Sequence, residues 1–580
     1  MATSKAATVR TDQGHPSASS SATDDDVSVR RPSGQTHDVF NQVPPFRGLN
    51  YFTQNKPLVA AVQREGAGWV QPQAARFGEY VDGAPQEWGD DANANPPVLR
   101  SHDRFGHRIN QVEFHPSYHN LMQMSLAEGL ASTPWRDPKP GAHVARATLA
   151  YITVHADAGH LCPVSGTFSA VPSLRMQPDL AQEWEEKLTN PTYDPANIAP
   201  QDKNAVTCAM GMTEKQGGSD VRANTTVATP VGRGGPGGEY RLTGHKWFFS
   251  APMCDLALVL AQAPEGLSCF LVPRRMSDGT MNNFRLLRLK DKLGNRSNAS
   301  SEIEFEGTYA QMVGEPGRGV PTIIEMVNYT RLECLVGSAA GMRVGATKAI
   351  HHARYRSAFG ARVIDQPLMQ NVLADLALES EAATIMAMRI ARAYDDGPQD
   401  SQADLFRRLA TAVSKYWLCK RLPQHAFEVL EAHGGNGYIE ESGIPRLYRE
   451  SPLMSVWEGT GNVMCLDVLR AMAKEPETLS AFLAEVEQAS GMDPRLDAHI
   501  AELKDAFTDF NDIQVRARRL VEMMALGLQG SLLVRHGTQA TADAFCASRL
   551  ARAGGHEYGT LPVGTDFAAI IEQNSAFITD

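Results

Sequence analysis

Five short segments of the chain bring glycines together with hydroxyl, aromatic or charged side chains in patterns that can do chemistry. The first is Met212-Thr213-Glu214-Lys215-Gln216-Gly217-Gly218-Ser219-Asp220. A polar glycine loop of this kind lets backbone N–H groups approach a ligand, and Thr213 and Ser219 can hydrogen-bond its heteroatoms. The second is Gly244-His245-Lys246-Trp247-Phe248-Phe249-Ser250. It opens with turn chemistry and continues as an aromatic strand. Alternation assigns Lys246, Phe248 and Ser250 to one face and Trp247 and Phe249 to the other. An aromatic beside a hydroxyl can stack on a flat heterocycle and bond its edge. Taken singly, the two segments also read as an ordinary turn and a core strand.

The third segment, Arg356-Ser357-Ala358-Phe359-Gly360, offers a guanidinium whose forked donors match two phosphate oxygens. The alternative is a capping Arg beside a buried Phe. The fourth, Glu431-Ala432-His433-Gly434-Gly435-Asn436-Gly437-Tyr438, reads as a helix ending at Gly434. The fifth, Trp457-Glu458-Gly459-Thr460-Gly461-Asn462, places one carboxylate in a glycine-rich loop. That carboxylate is either solvated or, desolvated in a slot, a general base with a raised pKa.

The elements that must position these segments follow from pattern. A chain of 580 residues implies two to four domains. The first 37 residues, rich in Ser, Thr, Ala and Asp, cannot bury enough surface to order and read as a disordered arm. They lack the apolar core of a secretory signal. Residues 38–203 read as a helical domain, with helices over 57–65 and 113–130 and a break at Asn95-Pro96-Pro97. Residues 204–315 read as a β domain, with strands over 222–229, 256–262, 268–273 and 301–305 and a glycine-rich turn over 232–238. Residues 316–474 form a helical bundle, with helices over 321–356, 367–394, 404–430 and 462–473. Residues 475–580 add further helices, clearest over 477–489 and 493–527.

Composition limits the partners. Net charge is −11, which argues against whole-molecule attraction to nucleic acid or an anionic membrane. No apolar run reaches about 18 residues, so no membrane-spanning helix is expected. Eight scattered cysteines form no CxxC pair and no metal-ligand spacing, so a reduced, cytoplasmic protein without structural metal is expected.

In order and wording, the first, second and fifth segments, with Lys290 to Ser300 (KDKLGNRSNAS), resemble the TEP-x-AGSD, K-x-W-I-T, Y-E-G-T and KLG-x-R-x-S-x-T motifs of the acyl-CoA dehydrogenases. The third and fourth resemble that family's R-x-x-F-G and Q-x-x-GG-x-G. The wording is closest to the AidB branch, and the resemblance covers about residues 38 to 475. It implies an α+β fold: an N-terminal α-helical domain, a central β domain, a C-terminal four-helix bundle and here a helical extension.

The resemblance also implies FAD. Met212, Thr213 and Gly218 match the loop at the flavin ring, and Ser219 stands near the pyrophosphate. Phe248 replaces a Trp against the flavin, and Ser250 a Thr near flavin N5. Arg356 and Phe359 match residues that reach FAD from a neighbouring subunit. The family's Gln after that Phe falls on Pro367, with Gln366 one short. Glu431 replaces a Gln, beside Gly434 and Gly435. Thr460 and Asn462 stand where relatives contact FAD adenosine. Such subunit-crossing contacts imply a homotetramer built as a dimer of dimers.

The implied reaction dehydrogenates an acyl-CoA thioester: a base takes the α-proton while a β-hydride passes to flavin N5. Glu458 matches the base. A branched-chain subgroup places its base at the position of Thr330, so that alternative is absent. Arg331 and Trp457 are implied on the substrate side, with Asn328 where the family has an Asp companion to Arg331. The AidB branch also implies a link to the DNA alkylation response and double-stranded DNA as a partner of the C-terminal helices. There the dense basic cluster is Arg516, Arg518 and Arg519, yet residues 471–580 hold nine Lys/Arg against sixteen Asp/Glu, a net of −7. Phosphate contacts need basic side chains. The alternative to a dehydrogenase is therefore a flavin-containing, DNA-protective protein with little turnover.

Overall fold

The computed structural model describes residues 36–576. Residues 36–42 carry no helix or strand, and the helices and strands all belong to the unit that begins at Val43. The arm expected over 1–37 lies, apart from Thr36 and His37, outside the described residues.

The N-terminal helices start where the sequence supplies caps. Asn55 accepts from the Leu58 N–H and Pro57 sits in the first turn of α1 (Lys56–Arg64). Proline also opens α2 (Gln71–Val81), α3 (Ala84–Ala94), α4 (Pro116–Ala127) and α5 (Thr133–Arg136), where its missing N–H costs nothing. α6 (Ala142–Thr153) is buried on every face and α7 (Leu161–Leu174) nearly so. α8 (Pro178–Leu188) follows. A hairpin that the sequence pattern does not announce comes after Pro96-Pro97. There β1 (Val98–His102) pairs with β2 (Arg108–Glu113). Asp103 makes its turn by accepting from the N–H groups of Phe105 and His107.

The β domain contains β3 (Cys208–Gly211), β4 (Val227–Pro230), β5 (Glu239–Ser250), β6 (Leu256–Ala263), β7 (Gly266–Pro273), β8 (Phe284–Leu289) and β9 (Ser300–Val313). The order is β3-β6-β4-β5-β9-β7, and a β6–β7 pairing closes the ring while β8 pairs with β9. Three strand expectations change. The strand expected over 222–229 begins only at Val227, because the Glu214 carboxylate takes the N–H groups of Thr225 and Thr226. The strand expected over 301–305 runs on to Val313. Gly244 makes no turn: β5 passes straight through it, and a Cβ there would lie 2.6 Å from Thr226 Cα.

The third layer is helical. α9 (Gly319–Tyr355) packs against α7, α10 (Pro367–Asp396) and α11 (Ser401–Ala432), the last capped by Asp400. Small residues at 337–341 and 345 of α9 permit that approach; a Cβ on Gly345 would lie 2.9 Å from Val429 Cγ2. The short hairpin β10 (Ser357–Ala358) with β11 (Ala361–Arg362) follows α9. α12 (Ile444–Glu450), α13 (Leu453–Val456) and α14 (Gly461–Lys474) end the bundle. The extension adds α15 (Glu477–Val486), α16 (Pro494–Ala506), α17 (Ile513–His536), α18 (Gln539–Phe545) and α19 (Phe567–Asn574). The helix expected over 493–527 is thus two, broken at Asp512, which adopts φ +50°. The α+β class and its helix, β, helix order are those expected.

A buried ion pair ties the first two motifs together. Lys246 Nζ lies 2.8 Å from Glu214 Oε1, with both side chains inaccessible to solvent. Removing one partner strands the other charge. Glu214→Leu lowers unfolding free energy in urea by about 3–5 kcal/mol, and adding Lys246→Met recovers most of it. A loss below about 1 kcal/mol would contradict this role.

Candidate active site

The Glu458 loop is held by its backbone. Lys415 Nζ, from buried α11, donates to the carbonyls of Trp457 (2.7 Å) and Gly459 (2.6 Å). Arg331 Nε, from α9, donates to the carbonyl of Glu458 itself (3.2 Å). Three consecutive carbonyls therefore bind two buried cations. They fix Glu458 at φ +56°, a left-handed conformation that a non-glycine residue adopts at a cost. Asp467 of α14 receives Arg331 Nη1 at 2.9 Å and Arg408 Nη2 at 2.9 Å. Burial opposes its charge, but the two arginines outweigh burial and hold its carboxyl below the ordinary range.

The Glu458 side chain meets α9. Thr330 Oγ1 donates to Glu458 Oε2 at 2.7 Å. Burial raises the Glu458 carboxyl above its ordinary value, while the Thr330 bond, Lys415 and Arg331 temper the shift. In the sequence, Thr330 serves only to exclude a base at its position; in the structure its hydroxyl hydrogen-bonds the Glu458 carboxylate. Sequence reasoning missed Lys415 and Asp467 entirely, since an isolated Lys or Asp inside a helix carries no signal. Arg331, expected on the substrate side, is buried and bonded to the Glu458 carbonyl and Asp467. Trp457 is half-buried, and its indole N–H has no partner among the described residues.

Facing this loop is the β5 segment. A bulge sets Trp247 and Phe248 opposite the single residue Glu302. The extra residue shifts parity, so Lys246 joins buried Phe249 on the inner face, while Phe248 and Ser250 share the other. The expected grouping of Lys246 with Phe248 and Ser250 is corrected accordingly. Phe248 is half-exposed. The Trp247 N–H donates to the Thr213 carbonyl at 2.8 Å, which docks the first motif on β5. Gly218 lies so close that a Cβ would sit 2.4 Å from Thr213 Oγ1. Met212 is anchored through its carbonyl to Asn224, and Ser219 is exposed. The Cys162 thiol, raised by burial, hydrogen-bonds Ser250 and Asn298 and feels the charges of Lys292 and Glu458. Ser250 and Glu458 therefore both lie beside Cys162.

The remaining expected residues stand on open surface or at its edge. Phe359 is fully exposed at φ +53°. Gln366 Nε2 donates to the Ala358 carbonyl and pins the β10–β11 hairpin, while the Arg356 carbonyl accepts from Val363. Glu431 is exposed, and nothing lies near a Cβ built on Gly434 or Gly435. Thr460 is exposed at the start of α14, without a side-chain capping bond. Asn462 Oδ1 accepts from Arg518 Nε at 2.9 Å.

The three arginines of α17 point to three partners. Arg518 is spent on Asn462, Arg519 pairs with Glu502 (3.3 Å), and Arg516 binds carbonyls of the α16–α17 turn, including Asn511 at 3.0 Å.

A model of the AidB adaptive-response N-terminal domain matches residues 41–195. The middle and C-terminal domains of acyl-CoA dehydrogenases match residues 209–308 and 317–473. The chain is 41% identical to the AidB protein of Escherichia coli (strain K12) over 524 residues, 90% of this chain and 96% of that one. The chain belongs to the acyl-CoA dehydrogenase family. It is also 30% identical over 453 residues to acyl-CoA dehydrogenase family member 11 of Caenorhabditis elegans, covering 75% and 72% of the two chains. The crystal structure of Caenorhabditis elegans ACDH-11 in complex with C11-CoA superposes with a TM-score of 0.82 at 26% identity, over 90% of this chain and 94% of that one. The chain is an oxidoreductase of the acyl-CoA dehydrogenase kind.

Members of this family are FAD-dependent flavoproteins. The residues present fit that group. The Thr213–Gly218 cradle admits backbone but no Cβ, and half-exposed Phe248 offers a ring face beside the Ser250 hydroxyl. Among the described residues no helix is long and apolar enough to cross a membrane.

The Lys415 amine makes a direct stability prediction. Lys415→Met leaves two loop carbonyls without their donor and lowers unfolding free energy by about 2 kcal/mol; unchanged urea unfolding would exclude the anchoring role.

Proposed function

We propose that the chain is an FAD-dependent acyl-CoA dehydrogenase of the AidB type in which Glu458 takes the α-proton of an acyl-CoA thioester. The observation that carries this reading is the carboxylate itself. It is partly buried, bonded to Thr330, and carried on a loop whose three carbonyls are bound by Lys415 and Arg331. A base held this way has a proton affinity raised above the ordinary carboxylate value, the direction that general-base catalysis favours. FAD, when bound, supplies the two-electron acceptor. Thr213, Gly218 and Ser219, with Met212 behind them, line its cradle; Phe248 and Ser250 face the ring. Arg356, Phe359, Gln366, Glu431, Gly434, Gly435, Thr460 and Asn462 serve the rest of the dinucleotide. Trp457 walls the acyl slot. Arg331 acts on the base through the Glu458 carbonyl rather than on substrate.

The divisions 38–203, 204–315, 316–474 and 475–580 belong to the same reading. So does a homotetramer. Phe359 is fully exposed, and Leu368 (85%) and Tyr438 (80%) stand out in solvent, apolar surface that a second copy would cover. Eight cysteines without a disulfide suit the cytoplasm. The DNA-protective alternative draws little from the extension, where Arg516 and Arg519 are already bonded inside it and Arg518 is bonded to Asn462.

Anaerobic titration of the flavoprotein with straight and branched acyl-CoA thioesters tests the proposal. Flavin absorbance bleaches in the wild type, and Glu458→Gln slows bleaching by about 10²–10⁴-fold. Failure of every thioester to bleach the flavin would overturn it. The pH profile gives a second check. The ionised carboxylate is the active form, so kcat rises with pH through a midpoint above the ordinary carboxylate value. Thr330→Val removes a bond that favours the ionised form, so this acid limb moves to higher pH. An unmoved limb would show that Thr330 does not act on the base.

A further inference from the structure

The surroundings of the Glu458 carboxylate can be followed inward between α7 and α9. Thr330 on α9 donates to Glu458 Oε2 at 2.7 Å, and Cys162 on α7 lies beside Glu458 and Ser250. Three residues further along each helix, on the same faces, stand Glu333 and Ser165. Ser165 Oγ donates to Glu333 Oε2 at 3.1 Å. Cys162, Thr330 and Glu458 are all partly accessible to solvent, and the Glu333 side chain keeps 12% of its surface exposed. From Cys334 to Thr347 every residue of α9 is buried. The accessible stretch of α9 therefore ends on Glu333.

Glu333 is held from behind. Its Oε1 receives Arg146 of α6, a side chain 1% exposed. Arg146 is itself fixed by the Leu130 carbonyl (2.6 Å) and by the Phe168 ring, whose centre lies 3.7 Å from its guanidinium. Tyr329, one turn back from Glu333, packs against Trp135, Phe168 and Tyr394 and closes that side. The open edge of the carboxylate is thus the one toward Thr330 and Glu458. A carboxylate accepts about four hydrogen bonds. Among the described residues Arg146 and Ser165 supply its donors, so acceptor capacity remains at the open edge. An apolar chain end set there would strip water from a charged group and replace it with nothing.

We propose that Glu333 is a specificity subsite, on which the acyl slot ends, and that it selects a short acyl group carrying a hydrogen-bond donor such as a hydroxyl at its far end. This rests on the reading of Glu458 as the base. Coenzyme A is too large and too charged to be buried, so the thioester stays near the mouth and the acyl end leads inward. Three helical residues place Glu333 about 4.5 Å beyond Thr330 along the axis. Roughly four single bonds in zigzag cover that distance. With the α-carbon at Glu458, the donor belongs on the fifth carbon of the acyl chain. A methyl in its place leaves the carboxylate unsatisfied, and a carboxylate in its place meets like charge.

The test is thioester binding to the full-length flavoprotein carrying Glu458→Gln, followed by titration calorimetry, so that binding is read apart from turnover. 5-Hydroxyvaleryl-CoA binds about tenfold or more tighter than hexanoyl-CoA, which has a methyl in place of the hydroxyl. Glutaryl-CoA, with a terminal carboxylate, binds more weakly than either. Glu333→Gln in the same background deprives Arg146 of its counter-ion and reverses the order, so that glutaryl-CoA binds tightest. Should that variant fold poorly, Ser165→Val leaves both charges in place and narrows the floor. Butyryl-CoA then binds as before, while 5-hydroxyvaleryl-CoA and hexanoyl-CoA weaken about tenfold. Equal affinity for 5-hydroxyvaleryl-CoA and hexanoyl-CoA would overturn the proposal, as would decanoyl-CoA binding as tightly as hexanoyl-CoA. If no thioester binds, the dehydrogenase reading falls as well; if thioesters bind without this discrimination, the subsite alone falls.

Discussion

Two buried cations on three consecutive carbonyls set the geometry on which the rest of the site depends. Glu458 is left-handed, which costs about 1–3 kcal/mol for a residue with a Cβ. A free loop would relax and swing the carboxylate away. Lys415 and Arg331 prevent this because each would lose its acceptor in a dry environment. They come from different helices, α11 and α9, so the position of Glu458 is set by how those helices pack. That packing in turn needs the small residues along the middle of α9. Sequence far from the carboxylate therefore decides where it points.

Charge balance completes the arrangement. Two cations beside a carboxylate would by themselves hold it ionised and weak as a base. Asp467 sits on the far side of Arg331 and also takes Arg408, so part of the positive field is spent before it reaches Glu458. Burial then wins, and the carboxyl lies above its ordinary value. The β domain uses the same device for a different end. The Glu214–Lys246 pair places one charge in each of the first two motifs, and pairing keeps the two segments in register. Such a pair adds little net stability compared with apolar residues, but removal of either member is costly. Its service is alignment of Thr213 with Phe248 and Ser250.

Legibility from sequence followed the range of the interaction. Long amphipathic helices such as α10 and α11, and the short apolar strands β6 and β7, were readable because their pattern is local. The five motifs were readable as a set, and the family followed from their order. The bulge at Trp247–Phe248 was not, because strand alternation assumes a regular ladder and one extra residue reverses every face after it. The β1–β2 hairpin was hidden for a related reason: Leu99 and Val112 are its apolar residues in the core and the other buried position of β2 is the polar Asn110, too little apolar alternation to show a period of two. Lys415 and Asp467 could not be found at all. Their partners lie roughly forty to well over one hundred residues away, and a lone charge in a helical pattern looks like a solvated face. Arg331 was found, but its bonds to the Glu458 carbonyl and Asp467 were not, since type and position name a residue without saying which way it turns.

The arginines of α17 make the same point in reverse. In sequence Arg516, Arg518 and Arg519 form the densest basic cluster of an acidic region, and a cluster suggests one target. On the helix they diverge, and each finds an acceptor that local pattern cannot reveal. Arg516 closes the turn left by the break at Asp512, which explains why the chain stops and restarts a helix there. Arg519 joins Arg552 on Glu502, tying α17 to the segment after α18. Arg518 crosses to Asn462 at the start of α14, two residues beyond Thr460 and four beyond Glu458. The extension is thereby bonded to the helix that follows the Glu458 loop. A basic cluster whose members are each committed to the fold contributes little free charge to a phosphate backbone, and the net of −7 over residues 471–580 works in the same direction. The physical role best supported for these arginines is to brace the bundle from outside, at the place where the strained Glu458 loop leaves it.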